Sequence, residues 1–457
     1  MITYQDFENK PEGEKRKLIM KLITEHKGSE AYKIAEDAVL YSTGKNATIT
    51  KHQKLLYTLT GQAIPDNFSA NHKMKSGLYK RYIRQLASYL LGNGLICNNE
   101  ENHAKLGDKF DKNLYFYGKD ALAQCASFGF WNVDHVDWFD FLEFAPAWDK
   151  ETGKLRSGAR FWQLDSTTPL RVTWYEEDGY TEYQEEDGEL EILVEKRPYI
   201  LEGGVSEQDG LIIEQGRNYA SFPIVPLWGT REHQSTLVGL REQIDCYDLI
   251  KSGFANDLDE ASMLYWTLTN YGGMDDVDLV KFKERMKTIG VASVEGDGAS
   301  ATAHTIDVPY QSRETYLSMI KKDFIEDAQM LNVEQIQAGQ VTATQIEAAY
   351  EPINEIADEF EFLVTDFVQE IFKLAGIDDV PTFKRSQMKN QLEETQMILA
   401  AANYLDADTI IAKLPFLSND EVAEVLKRKS AEDINRFKAL EGSTEGTEGG
   451  DGADDEE

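Results

Sequence analysis

No part of this chain limits its possible folds as sharply as the stretch from Thr342 to Gly376. Its apolar residues are Ile346, Tyr350, Ile353, Ala357, Phe360, Val364, Phe367, Ile371 and Leu374. They are spaced alternately by four and three, the heptad pattern of a helix with one continuous buried seam. Thr344 stands three residues before Glu347, the spacing of a capping box, and Gly376 sits where a left-handed C-cap is wanted. Pro352 lacks an N–H and predicts a kink inside the helix. The outward positions are mostly acidic: Glu347, Glu351, Glu355, Asp358, Glu359, Glu361, Asp366 and Glu370. Taken alone, this is a bundle helix of an acidic protein, so its surroundings decide its use.

The 457 residues allow two to four compact units, at roughly 150 residues each. A hydrophobic share of 41% is enough for real cores. Against 47 basic residues stand 81 acidic ones, a formal net charge of -34. Such a surface repels phosphates and disfavours ordinary DNA binding by counterion release, though it does not exclude a passage through which DNA must slide without sticking. Cys97, Cys125 and Cys246 are odd in number and scattered, so no disulfide framework is implied and a reducing compartment fits. The opening MITYQDFENKPEGEKRK lacks an apolar signal core, and no run approaches the ~20 apolar residues of a membrane span. The expectation is a soluble intracellular product.

Residues 1 to about 62 read as short helices, on the spacing of Leu18, Ile19, Leu22 and Ile23, then of Ile34, Ala35, Ala38 and Val39. A helix is expected from near Ser69, with Met74, Leu78, Tyr82, Leu86 and Tyr89 as its stripe and Gly92-Asn93-Gly94 as its cap. It is clearly basic, carrying Lys73, Lys75, Lys80, Arg81 and Arg84, which suggests pairing with acidic neighbours in the fold or across a subunit boundary. After another expected helix, Asp108 to Phe128, the periodicity drops to two. Hairpin signals at 149–153, 177–179 and 186–188 predict an antiparallel sheet region over 131–226. SFPIVPLWG (221–229) closes it, its prolines permitting an edge strand but not a central one.

A helix follows at 235–262, with Leu237, Leu240, Ile244, Tyr247, Phe254, Leu258 and Ala261 in line. Residues 263–309 are mixed and Gly-rich: strand-like LYWTLTNY and VASV, helical DDVDLVKFKERMKTIG, flexible EGDGASATA. A return helix at 310–332 carries Leu317, Ile320, Phe324, Ala328 and Leu331, and VEQIQAGQV leads into the long helix. Further helices are expected around 385–405, 406–414 and 419–437. The closing EGSTEGTEGGDGADDEE offers almost nothing to bury and should be disordered.

Motifs for chemistry are weak. His135-x-Asp137-x-x-Asp140 and Asp275-Asp276-x-Asp278 contain ligand types, but no matching cluster accompanies either. Gly296-x-Gly298 lacks the strand-helix context of a nucleotide fingerprint, and no GxxxxGK[ST], GxSxG or HExxH occurs. The architecture is more informative. Two helices with an insertion at their tip make a rod bearing a knob, whose seam only neighbouring copies can bury, which argues for a symmetric oligomer.

The order of these elements and several strings resemble the portal proteins of tailed bacteriophages, the siphovirus class of Gram-positive hosts. The strings are SYLLGNG (88–94), FPIVPLWG (222–229) leading into Ile244-Asp245-Cys246-Tyr247-Asp248, then Ser252 with Asn256-Asp257-Leu258, and KKDFIEDAQMLNV (321–333). Where relatives often have a Ser-Gly-x-Ala turn before the long helix, this chain has Thr342-Ala343-Thr344.

The resemblance implies an α+β portal fold with a mixed α/β wing, an antiparallel helical stem, a small α/β clip, a long kinked helix and a helical crown. The wing would be 1–234, the stem helices 235–262 and 310–332, and the clip 263–309 between them. The tunnel loop would be 333–344, the long wing helix 345–376, the crown 377–440 and the acidic tail 441–457. Gln335, Gln337, Gly339, Gln340 and Thr342 would face a DNA channel; Tyr265, Trp266, Asp275, Asp276, Lys281 and Lys283 would dock adaptor and terminase. Asp245, Tyr247, Asp248, Lys321 and Lys322 would belong to the stem.

The implied function is a ring-shaped conduit at one capsid vertex for packaging, retention and ejection of the genome. The ring would have twelve subunits, with thirteen as the alternative outside the capsid. Its implied partners are double-stranded DNA in transit without sequence specificity, the terminase large subunit, the head-completion adaptor, and the major capsid and scaffold proteins. Its location would be the virion, and the host cytoplasm during assembly. No catalytic residue, cofactor, metal or membrane is called for. Two other classes stay open: another ring, adaptor or scaffold protein of the virion, and an acidic multidomain enzyme.

Overall fold

The computed structural model describes residues 2–58, 60–67, 69–205, 212–261, 265–269, 276–288, 300–304, 309–333, 343–386, 391–401, 404, 406–414, 422 and 424–430. The chain divides into two compact units, Met1–Leu331 with Pro352–Ser386, and Asn332–Glu351 with Gln387–Glu457.

The first unit opens with α1 (Glu12–Gly28) and α2 (Glu30–Ser42), joined at Ser29, whose hydroxyl accepts the Tyr32 N–H as an N-cap. After the short α3 (Ala47–Lys51) come two strands, β1 (Leu55–Tyr57) and β2 (Ala63–Pro65), paired antiparallel. Helix was expected up to 62. The left-handed turn at Gly61 (φ 81°) folds the chain back into a hairpin instead. The basic helix α4 spans Leu78–Leu91, starting nine residues later than expected. β3 (Leu95–Ile96), α5 (Glu100–Ala104) and α6 (Phe110–Gln124) follow. Helix α6 stops short of Phe128 because Cys125 turns out of it at φ 102°; residues 126–128 already belong to a strand.

The sheet region is antiparallel throughout. β4 (Ala126–Asn132) and β5 (His135–Asp140) form a three-stranded sheet with a later strand. β6 (Phe144–Trp148), β7 (Leu155–Trp162), β8 (Arg171–Glu176), β9 (Gly179–Glu186) and β10 (Glu189–Arg197) make a five-stranded meander in sequence order. Between β9 and β10 the turn residues Asp187 and Gly188 both have positive φ, the backbone of a two-residue hairpin turn. β11 (Ile200–Val205) and β12 (Ile212–Arg217) pair with each other. β13 (Ile224–Trp228) joins the edge of the first sheet beside β4, so Pro226 sits on an edge strand.

Helix α1 closes one face of the meander, burying Ile19, Leu22 and Ile23 with Val172, Trp174 and Tyr183. A second, aromatic core joins Phe128, Phe130, Phe139, Phe144 and Tyr175, with the Phe128 and Phe144 rings 4.5 Å apart.

Then come α7 (Arg241–Ala261), β14 (Tyr265–Thr269), α8 (Asp276–Thr288), β15 (Ser300–His304) and α9 (Tyr310–Asp327). The strand that pairs with β14 is Ser300–His304, drawn from the stretch expected to be flexible, while VASV lies outside the described residues.

The long helix α10 (Ala343–Ala375) continues through Pro352. Of its heptad positions, Tyr350, Ile353, Ala357, Phe360, Val364, Phe367 and Ile371 are buried, and Ile346 and Leu374 half-buried. Phe367 reaches the Trp138 ring at 5.1 Å through space left by Gly129, where a Cβ would stand 2.6 Å from the Phe367 ring. The helix ends as the cap predicts: Gly376 (φ 66°) donates to the Lys373 carbonyl and Ile377 to the Phe372 carbonyl at 2.8 Å, a Schellman motif. Its start differs from expectation. Ala343 is already helical, so Thr344 lies in the first turn and is no N-cap. β16 (Thr382–Phe383) returns to pair with β3. In the second unit are α11 (Gln391–Ala400) and α12 (Ala407–Lys413), and residues 424–430 are helical; the tail lies outside the described residues. Among the described residues no helix is long and apolar enough to cross a membrane.

Candidate functional site

Helix α7 carries buried polar side chains at four-residue intervals: Asp248, Ser252 and Asn256, each at most 5% exposed. An extended strap, residues 72–76, lies along it. Ser76 N–H donates to Asp248 Oδ1 at 2.8 Å, Met74 N–H to Ser252 Oγ at 2.9 Å, and His72 N–H to Asn256 Oδ1 at 2.6 Å. The register is set by geometry. Four helical residues rise about 6 Å and two extended residues about 6.6 Å, so alternate amides meet successive helix turns. These bonds explain why α4 starts late. The amides that would build its expected first turns are committed to α7.

Asn46 ties the same place to the N-terminal helices. Its Oδ1 accepts the Ile49 N–H, capping α3, while its Nδ2 donates to Asp245 Oδ1 and Asp248 Oδ2, both at 2.9 Å. Tyr41 Oη donates to Asp245 at 2.5 Å, and Arg241 pairs with Asp37 at 2.9 Å. Burial pushes the Tyr41 phenol up to about 12, and its bond to the Asp245 carboxylate acts in the same direction. Burial also raises the Asp248 carboxyl, with the donors Asn46 and Ser76 pulling it back. The arrangement is a mechanical joint, fixing α7 to the sheet-bearing part of the unit.

From this joint α7 runs beside α9. Arg313 pairs with Asp257 and Gln243 donates to Asp327, so the two helices are antiparallel. Ile320 and Phe324 of α9 are buried, as are Leu237, Leu240 and Ile244 before and at the start of α7. Leu249 and Leu258 of α7, and Tyr316 and Met319 of α9, are 44–51% exposed. Leu258, expected in the buried stripe, is therefore open in the single chain.

The expected site residues fall into separate places. Asp245 and Asp248 belong to the joint; Tyr247 has Lys251 Nζ 5.6 Å from its ring centre. Lys322 pairs with Glu326 at 3.4 Å, one turn along α9, and Lys321 is half-buried on the same helix. Tyr265 and Trp266 lie on β14, paired in register with His304 and Ala303. Asp276 opens α8, Lys281 is exposed 3.5 Å from Asp278, and Lys283 lies on the same helix. Asp275 and the expected channel residues Gln335, Gln337, Gly339, Gln340 and Thr342 lie outside the described residues. The candidate ligand set also separates: His135 pairs with Asp134 and Asp137, whereas Asp140 accepts the Leu142 and Glu143 amides of a turn. Among the described residues no group of three metal-ligating side chains occurs. Sequence reasoning missed the strap and the role of Asn46; the D-x3-S-x3-N spacing on α7 was the available signal.

A family model described as "Phage portal protein, SPP1 Gp6-like" matches residues 40–436. A portal protein of Bacillus phage SPP1 is 23% identical over 95% of this chain and 89% of its own length. A portal protein of Clostridium phage phiCD119 is 26% identical over 48% of this chain, and the match spans about half (52%) of that relative. Among solved structures, a chain from the neck of an empty gene transfer agent particle is similar with a TM-score of 0.45 at 11% identity, covering 77% of this chain and 90% of that one. A chain from the virion of a native gene transfer agent particle gives 0.43 at 11% identity, covering 77% and 89%.

Proposed function

The chain belongs to the SPP1 Gp6-like family of phage portal proteins, and from that membership we propose that it assembles into a closed ring at one capsid vertex and conducts the double-stranded genome. The family is structural rather than enzymatic, and the role is that of portal and connector. In the proposed ring the wing is 1–234, the stem 235–262 with 310–332, the clip 263–309, the tunnel loop 333–344, the long wing helix 345–376 and the crown 377–440. The clip meets the terminase large subunit during packaging and the head-completion adaptor afterwards; capsid and scaffold proteins surround the vertex.

The observation that carries the ring is the α7–α9 pair. Its inward side is closed by Ile320 and Phe324, while Leu249, Leu258, Tyr316 and Met319 stay open. A helix pair so exposed is covered by neighbours of its own kind in a cyclic oligomer. The net charge of -34 fits a conduit, because an acidic wall repels phosphates and lets DNA pass without locking on. The segment VEQIQAGQVTA is nearly uncharged, and its amide side chains can touch DNA without holding it. Particles built with Gln340→Lys should therefore package DNA more slowly than wild type. Equal packaging rates would remove the loop from the translocation path.

A further inference from the structure

Between Asn67 and Asn99 the chain has no Asp or Glu, although it has 81 of them overall, and this stretch holds Lys73, Lys75, Lys80, Arg81 and Arg84. The structure places the last three on one exposed face of α4, opposite the buried Tyr79, Tyr82, Ile83 and Leu86. Lys73 Nζ donates to the Thr50 carbonyl at 2.6 Å. Lys75, Lys80, Arg81 and Arg84 have no ion pair among the described residues. A cationic face left open on so acidic a protein is unusual, because nearby carboxylates normally capture it.

We propose that this face of α4 is an inter-subunit docking surface, and that its occupant is the outer stripe of α10 from the adjacent copy. The proposal rests on the ring reading above. Two observations select the occupant. First, Phe362 is 72% exposed, a large aromatic standing outward on α10 with Glu359 and Asp366 exposed one turn to either side. An arginine face is the matching chemistry: guanidinium stacks on an aromatic ring while pairing with flanking carboxylates. Second, rotation about a ring axis preserves the height and radius of every residue, so contacting patches must come from the same level of the subunit. α4 and α10 meet that condition. Within one chain they lie side by side, with Tyr89 Oη donating to Asn354 Oδ1 at 2.5 Å and Ser386 N–H to the Tyr89 carbonyl at 3.0 Å. Copies that each carry -34 also repel one another, and a cationic face at the junction offsets that repulsion where it is strongest.

The test uses the full chain. Wild type, Arg81→Glu/Arg84→Glu, Arg81→Lys/Arg84→Lys and Phe362→Ala are compared by native mass spectrometry and sedimentation across concentration and salt, with circular dichroism confirming the fold. The charge reversal should raise the concentration for half-assembly by about tenfold or more, the effect of roughly 1.4 kcal/mol per interface. Phe362→Ala should weaken assembly in the same direction, and the lysine pair, which keeps the charge but loses the planar stack, should assemble less readily than wild type and more readily than the charge reversal. Adding Glu359→Lys/Asp366→Lys to the reversed chain should restore rings, which a merely structural role for the arginines would not do. Reversed chains that form rings as readily as wild type overturn the proposal. If they do so while losing retention of a linear duplex, the face serves DNA instead. A wild-type chain that never leaves the monomer contradicts the ring itself, a result distinct from loss of this one contact.

Discussion

Asp248 Oδ1 accepts the backbone N–H of Ser76 at 2.8 Å, while its other oxygen accepts Asn46 Nδ2, and the side chain is fully buried. One carboxylate thereby holds the strap before α4, the cap of α3 and the start of α7 together. Asp248→Ala strands two buried donors and should cost about 1–3 kcal/mol in chemical denaturation. Asp248→Asn keeps one acceptor and should cost less. In both variants amide exchange at His72, Met74 and Ser76 should accelerate; unchanged protection there would show that the ladder does not hold the strap.

Two phenylalanines of α10 separate folding from assembly. Phe367 is 1% exposed against Trp138, so Phe367→Ala should destabilise the isolated chain by about 3–5 kcal/mol. Phe362 is 72% exposed, and Phe362→Ala should stay within about 0.5 kcal/mol of wild type in the same urea titration. Equal losses at both positions would mean that the outer stripe is part of the chain's own core.

Asp120 on α6 predicts a pH dependence. Burial raises its carboxyl to about 6, with the Asp140 charge adding to the effect and Lys119 opposing it. The folded state therefore binds more protons than the unfolded chain between about pH 4 and pH 6, and stability falls as pH rises through that window. Asp120→Asn has no charge to bury. Its melting temperature should match wild type near pH 4 and exceed it at pH 7 and above. A constant difference across that range would contradict the assignment.

Much of this fold was readable because periodicity is a direct record of burial. The heptad spacing named the residues that α10 buries, and Gly376 marked its end. Paired prolines placed β13 on an edge. What escaped was set by distant contacts. Met74 continues the apolar spacing of α4, yet its amide is taken by Ser252, 178 residues away, so the helix begins at Leu78. Asp248, Ser252 and Asn256 fall outside the apolar line of α7, yet they are buried because a strap of backbone needs acceptors. Leu55, Leu56 and Tyr57 are exposed in a two-stranded hairpin, and a run so short carries no period to tell strand from helix. Of the candidate site, the residues expected in stem and clip lie on described helices and strands except Asp275, which with the expected channel residues lies outside what the structure describes.

Averaged electron micrographs of the purified protein, with native mass spectrometry for its copy number, decide whether this chain closes into a ring. The expected result is a closed ring of about a dozen copies around an axial hole wide enough for duplex DNA. A monomer or dimer that persists at high concentration would contradict it, leaving the open faces of α7 and α9 without their neighbours.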